Sequence, residues 1–186
     1  MQDDASLVAA YQSGSNAAFE ELYARYFRDI YRFVYARTHH RETAEDIVSQ
    51  TFLKALQGIQ SFDSAKGSFA GWIYRIARNL VIDHYRSLRP DQSIEDAWDL
   101  QDDTDIPMDA HARLRIQSIR AALQKLKPDQ RETVLLRVWH GRTFAEIAEI
   151  LGSTEAACKM AYKRAVESVR NVLLLSLILS SPLFLP

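Results

Sequence analysis

The chain has 186 residues, enough for one ordinary domain or two small ones, and its 47% hydrophobic and 25% charged content is that of a soluble globular protein. A single cysteine, Cys158, excludes an internal disulfide and any multi-cysteine zinc site. The net charge of −1 hides a division: residues 1–90 carry 11 basic against 10 acidic side chains, residues 91–110 carry 8 acidic and no basic ones, and residues 111–186 carry 12 against 6.

Such a division predicts two folded parts with a connector, residues 1–90 and 111–171, followed by an apolar tail at 172–186. No basic-then-apolar leader opens the chain, which predicts a cytoplasmic protein. Nearly every periodic stretch has helical spacing and none alternates convincingly as a strand, so the fold class is all-α. After a short helical segment at Leu7–Tyr11 and a turn at SGSN, the pattern predicts a long helix from Ala17 to Arg37. Its apolar side is Phe19, Leu22, Tyr23, Tyr26, Ile30, Phe33 and Val34. Thr43 reads as the N-cap of a helix reaching Leu56, with Asp46 in its first turn; Gly58 to Gly67 reads as a loop.

The cleanest pattern runs from Ser68 to Arg86. Phe69, Trp72, Ile73, Ile76, Ala77, Leu80 and Val81 make one apolar stripe, and Trp72 on that stripe reads as core. Arg75, Arg78, Asn79, Ile82 and Arg86 form a second strip expected to stay outside, where arginines can meet phosphate or bases. Residues 91–110, acidic and poor in apolar side chains, read as a flexible linker. Helical spacing returns at Ile116, Ile119, Leu123 and Leu126. Pro128 suits the first turn of the next helix, which buries Val134, Leu135, Val138 and Trp139 and stops at Gly141.

Thr143 to Arg164 reads as a helix-turn-helix. Thr143 and Glu146 form a T-x-x-E capping box, Gly152 suits a left-handed C-cap, and Thr154 opens a second helix bearing Lys159, Lys163 and Arg164. Two short helices about a glycine turn, the second one basic, match the geometry that lays a helix in the major groove. Cys158 falls on the inward side of that helix and reads as a small buried residue. The tail VLLLSLILSSPLFLP is too short to span a bilayer and is broken by Pro182. An extension of the last helix, folded onto hydrophobic surface or covered by a partner, is the preferred reading, and membrane contact the less favoured one.

Two separate stretches resemble the extracytoplasmic-function (ECF) sigma factors of bacterial RNA polymerase. AEDIVSQTFLKAL (Ala44–Leu56) resembles the family's core-binding helix, and SFAGWIYRIARNLVIDHYR (Ser68–Arg86) its promoter-melting and recognition helix. LKPDQRETVLLRVWHGRTFAEIAEILG resembles the opening of its second DNA-binding domain. The resemblance implies two small helical domains joined by an acidic linker, and no enzyme activity, cofactor or metal. It implies core RNA polymerase, promoter double-stranded DNA and the melted non-template strand as partners, and it admits an anti-sigma factor. Asp46, Ile47, Ser49, Gln50 and Thr51 would bind the polymerase clamp. Arg75, Arg78, Asn79 and Arg86, with the loop Ser61–Gly67, would handle the minus-ten element, capturing an unstacked base. Glu155, Ala156, Lys159, Met160 and Lys163 would face the minus-thirty-five element, with Arg164 on phosphate.

The chain departs from the family at Ser49-Gln50, where Gln-Glu is usual, at Ala161, where an arginine is common, and at Cys158 and Tyr162, where bulky aliphatics are usual. An autonomous repressor or activator, binding an operator through the same helix-turn-helix, is the alternative from a different class. No glycine-rich phosphate loop, H-E-x-x-H or nucleophile elbow supports an enzyme, and the adjacent His39 and His40 diverge on a helix and read as a helix-end surface feature.

Overall fold

A computed structural model describes residues 2–88, 119, 121–123 and 125–179, with side chains through Arg170. The acidic linker, Ile116 and the end of the tail lie outside the described residues. Within them the chain is helical and contains no strand.

Helix α1 (Asp4–Gln12) is capped by Asp3, which accepts from the Ser6 amide at 2.8 Å. It is tied to the rest by Arg25 on Asp4 at 2.5 Å and by Gln12, whose amide donates to the carbonyls of Ile59 and Phe62, both at 2.8 Å. Helix α2 (Asn16–Thr38) buries Leu22, Tyr26, Ile30, Phe33 and Val34, the expected stripe. Tyr23 is different: it is 43% exposed, as is Phe27 at 40%. Helix α2 stops at His39, whose φ of 48° places it in the left-handed region. His39 and His40 are therefore helix-end features, as expected. Helix α3 (Arg41–Gly58) begins three residues earlier than the sequence suggests. His40, not Thr43, is the N-cap, its ring accepting from the Thr43 amide at 3.3 Å.

A single 3-10 turn (Ile59–Ser61) and a short loop lead to α4 (Phe69–Leu88). Ser68 caps this helix by accepting from the Gly71 amide at 3.0 Å. Helix α5 (Pro128–Val138) starts at its proline, with the Gln130 side chain accepting from the Lys127 amide at 3.2 Å. Of the residues expected to be buried here Val134 is, but Val138 and Trp139 are 56% and 60% exposed. The inward face is instead Glu132, Thr133 and Leu136. Helices α6 (Phe144–Leu151) and α7 (Glu155–Leu179) form the helix-turn-helix. Its capping box is present in both directions, the Glu146 amide on Thr143 Oγ1 at 3.2 Å and the Thr143 amide on Glu146 Oε2 at 2.7 Å. Gly152 closes α6 at φ 65°.

The two halves pack against each other. Helix α6 lies on α4, and Leu136, Ile147, Ala148, Ile150 and Cys158 join the buried cluster of α1 to α4. Leu123, Leu126, Val134 and Ala165 form a smaller separate cluster. Between the halves sits a buried ion pair: Arg37 of α2 reaches Glu132 of α5 at 2.6 Å, with side chains only 4% and 3% exposed. Arg78 of α4 approaches the other oxygen of Glu132 at 3.1 Å. Arg37 also lies over the Phe33 ring at 3.6 Å and donates to the Phe33 carbonyl at 2.7 Å. So the strip expected to stay outside does so only in part.

Losing one member of a buried pair strands the other charge, whereas replacing both with apolar side chains is often neutral. Glu132→Ala is therefore expected to destabilise the packed state by about 3–5 kcal/mol in urea denaturation, and Arg37→Met with Glu132→Met to recover most of that loss.

Candidate nucleic-acid interface

Helix α4 carries Arg75, Arg78, Asn79 and Arg86. Arg75, Asn79 and Arg86 are exposed, while Arg78 is partly buried by its contact with Glu132. At the start of α4 lies a cleft of about 460 Å³, walled by Ser61, Phe62, Asp63, Lys66, Trp72 and Arg75. Trp72 is half-buried, its ring 4.8 Å from Phe62 and 5.7 Å from Phe69. It is thus both core and cleft wall, an aromatic surface beside the loop expected to take an unstacked base. Lys66 is paired with Asp63 at 3.1 Å.

The cleft already holds a side chain. Glu149 of α6 accepts from the Ser68 amide at 3.1 and 3.3 Å and from Ser68 Oγ at 3.0 Å. Arg75 Nε donates to the backbone carbonyl of the same residue at 2.6 Å. A methyl group on Gly71 would fall 2.0 Å from Glu149 Oε2, so glycine is what allows this approach.

On α7 the five residues expected to face the major groove, Glu155, Ala156, Lys159, Met160 and Lys163, are exposed, as is Arg164, expected on phosphate. Cys158 and Ala165 point inward, and burial raises the Cys158 thiol pKa. Thr154 caps the helix, accepting from the Ala157 amide at 3.2 Å. Lys159 pairs with Glu155 at 2.6 Å along the same face.

The residues expected to bind the polymerase clamp divide. Asp46, Ser49 and Gln50 are exposed, whereas Thr51 is fully buried and Ile47, 4% exposed, shows only an edge in a cleft it shares with Asp46 and Gln50. Ile47 packs into the core, and Thr51 Oγ1 donates to the Ile47 carbonyl at 2.7 Å, which uses its hydroxyl. Ser49 instead borders an apolar groove between α2 and α3, lined by Phe19, Tyr23, Phe27, Tyr31, Leu53 and Leu56. The signal for this groove was an aromatic row at positions 23, 27 and 31, offset by one residue from the core stripe at 22, 26 and 30.

Arg37 and Glu132 had a signal too: each is a lone charge on a buried helical face, and the two have opposite sign. Glu149 had none, because a glutamate on an amphipathic helix is ordinary surface.

A helix-turn-helix with an exposed basic helix, joined to a second helical unit with its own arginine-bearing strip, defines a class of DNA-binding transcription protein. Residues 22–90 match the family described as Sigma-70 region 2, and residues 116–169 the family described as Sigma-70, region 4. The chain is 36% identical over 90% of its length to the ECF RNA polymerase sigma factor BldN of Streptomyces coelicolor, spanning 64% of that protein. It is 35% identical over 73% of its length to the RNA polymerase sigma factor YlaC of Bacillus subtilis, spanning 80% of it. Among solved structures, CnrH in complex with the cytosolic domain of CnrY superimposes with a TM-score of 0.65 at 25% identity, covering 91% of this chain and 96% of that one. The chain belongs to the ECF sigma factors of RNA polymerase, which direct transcription initiation at promoters and are regulatory rather than catalytic. These matches favour a sigma factor over an autonomous operator-binding regulator. No helix among the described residues is long and apolar enough to cross a membrane.

His140, between the halves, packs edge-on against Phe33 and Tyr74 at 5.5 and 5.7 Å. Burial, and then the charges of Arg37, Arg142 and Arg32, depress its pKa to about 4. With a folded value below the ordinary 6.5, the separated or unfolded chain binds the extra proton first. The packed state therefore keeps this contribution above pH 6.5 and loses it as pH falls towards 4. An NMR titration is expected to show His140 neutral at pH 5, and His140→Phe to flatten the pH dependence of melting between pH 6.5 and 4.

Proposed function

We propose that this sigma factor docks on core RNA polymerase through α2 and α3, opens promoter DNA along α4, and reads the minus-thirty-five element with α7. What carries this reading is the spacing of two exposed polar faces on separate helices, Arg75, Asn79 and Arg86 on α4 and the six residues of α7, neither of them needed for the core. Asn79 has the paired donor and acceptor that base readout requires, whereas the arginines suit phosphate. The cleft beside Trp72 has the size and aromatic wall for one extruded base of the non-template strand.

Asp46, Ser49 and Gln50, together with the apolar groove next to Ser49, form the docking face for the polymerase clamp. Exposed aromatics rimmed by polar side chains suit a macromolecular interface better than solvent. Region 2 takes residues 1–90, the acidic linker 91–110 and region 4 residues 111–171, a division supported by the family matches over 22–90 and 116–169. The chain works in the cytoplasm, where its polymerase is. That CnrH is seen in complex with the cytosolic domain of CnrY supports a protein partner for this chain as well, a place an anti-sigma factor would fit.

Lys159→Ala combined with Lys163→Ala is expected to lower promoter-specific run-off transcription by tenfold or more, since lost base contacts cost roughly 1–3 kcal/mol each, while binding to core polymerase stays unchanged. Asp46→Lys is expected to do the reverse, abolishing capture of core polymerase without altering the fold seen by circular dichroism.

A further inference from the structure

Of the six α7 residues assigned to the minus-thirty-five element, four are charged and Ala156 is small. Met160 is the exception, a large apolar side chain left 48% exposed. Its direction is fixed from the other side of the helix. Cys158 and Ala165 are buried, and the Tyr162 ring packs edge-on against Phe144 at 5.6 Å. At about 100° of turn per residue, Met160 points roughly opposite to that packed side.

Its neighbours are those of a side chain that meets DNA. Ala156 lies one turn earlier on the same side, where its small methyl group lets the helix come close to a groove floor. Lys163 and Arg164, one turn later, bring positive charge to the same side. Lys159, next to Met160 in the chain, is turned back onto Glu155 at 2.6 Å.

A thioether donates no hydrogen bond and accepts only weakly, so Met160 is unsuited to the donors and acceptors of a base edge. The major groove also presents one apolar group, the 5-methyl of thymine. A flexible, polarisable side chain adapts well to a contact of that kind.

We propose that Met160 selects a T·A pair in the minus-thirty-five element by packing on the thymine methyl group. This rests on the assignment of α7 to that element, and it names the base that one of its side chains chooses.

The test uses the full chain bound to core polymerase. Promoters are selected from randomised double-stranded DNA, and the upstream element is expected to hold a T·A pair at one fixed position. Deoxyuridine in place of that thymine removes the methyl group alone. It is expected to weaken binding of the natural chain about fourfold, the effect of burying one methyl-sized group. Met160→Ala is expected to bind the thymine and deoxyuridine promoters equally, and Met160→Leu to keep the discrimination.

An upstream element with no fixed T·A pair overturns the choice of thymine. So does deoxyuridine that costs the natural chain nothing, which would place any preference in DNA shape. A penalty as large in Met160→Ala as in the natural chain overturns it too. The assignment of α7 is judged separately, by Lys163→Ala: weaker binding to the selected promoters upholds it whatever becomes of Met160, and selected DNA with no upstream element overturns both.

Discussion

Glu132 is held between Arg37 and Arg78, almost without contact with water, and this arrangement ties the second half of the packed chain to the first. A carboxylate can be buried at this depth only with its charge matched and its oxygens hydrogen-bonded, so the position of α5 relative to α2 and α4 is fixed closely. Once α5 is placed there, α6 has to cross the start of α4, which brings Glu149 to Ser68 and Ile147 and Ile150 into the shared core. An apolar interface of equal size would hold the halves together with less regard to register. The ion pair contributes selectivity of arrangement more than strength.

The packed arrangement leaves the helix-turn-helix face open to solvent. The surfaces that meet between the modules differ from those on α7. Lys159, Met160, Lys163 and Arg164 face solvent in the packed chain, so the helix-turn-helix needs no rearrangement to present them. Arg75 and Arg78 are instead engaged within the chain, by the Glu149 carbonyl and by Glu132. The two faces proposed to meet DNA therefore differ in exposure.

Much of this was legible in the residues. The capping box at Thr143, the left-handed glycine at 152, the proline start at 128 and, Tyr23 apart, the core stripes of α2 and α4 are local signals that sit where their spacing placed them. The contact between halves was not, because it depends on pairs nearly a hundred residues apart, such as Arg37 and Glu132. Local periodicity could show that each charge lay on a buried face but not which charge answered which. Ile47 and Thr51 fall within the motif that resembles a docking helix, yet their side chains point into the core, while Asp46, Ser49 and Gln50 beside them are exposed.

The most direct test of the packing organised by Glu132 is a distance between the modules. Fluorophores on the exposed positions Gln57 of α3 and Glu167 of α7 would report it by energy transfer in single molecules. A single high-efficiency population in the natural chain, spread to lower efficiencies in Glu132→Ala, is the predicted result. A natural chain already extended, or an efficiency that Glu132→Ala leaves unchanged, would contradict the account.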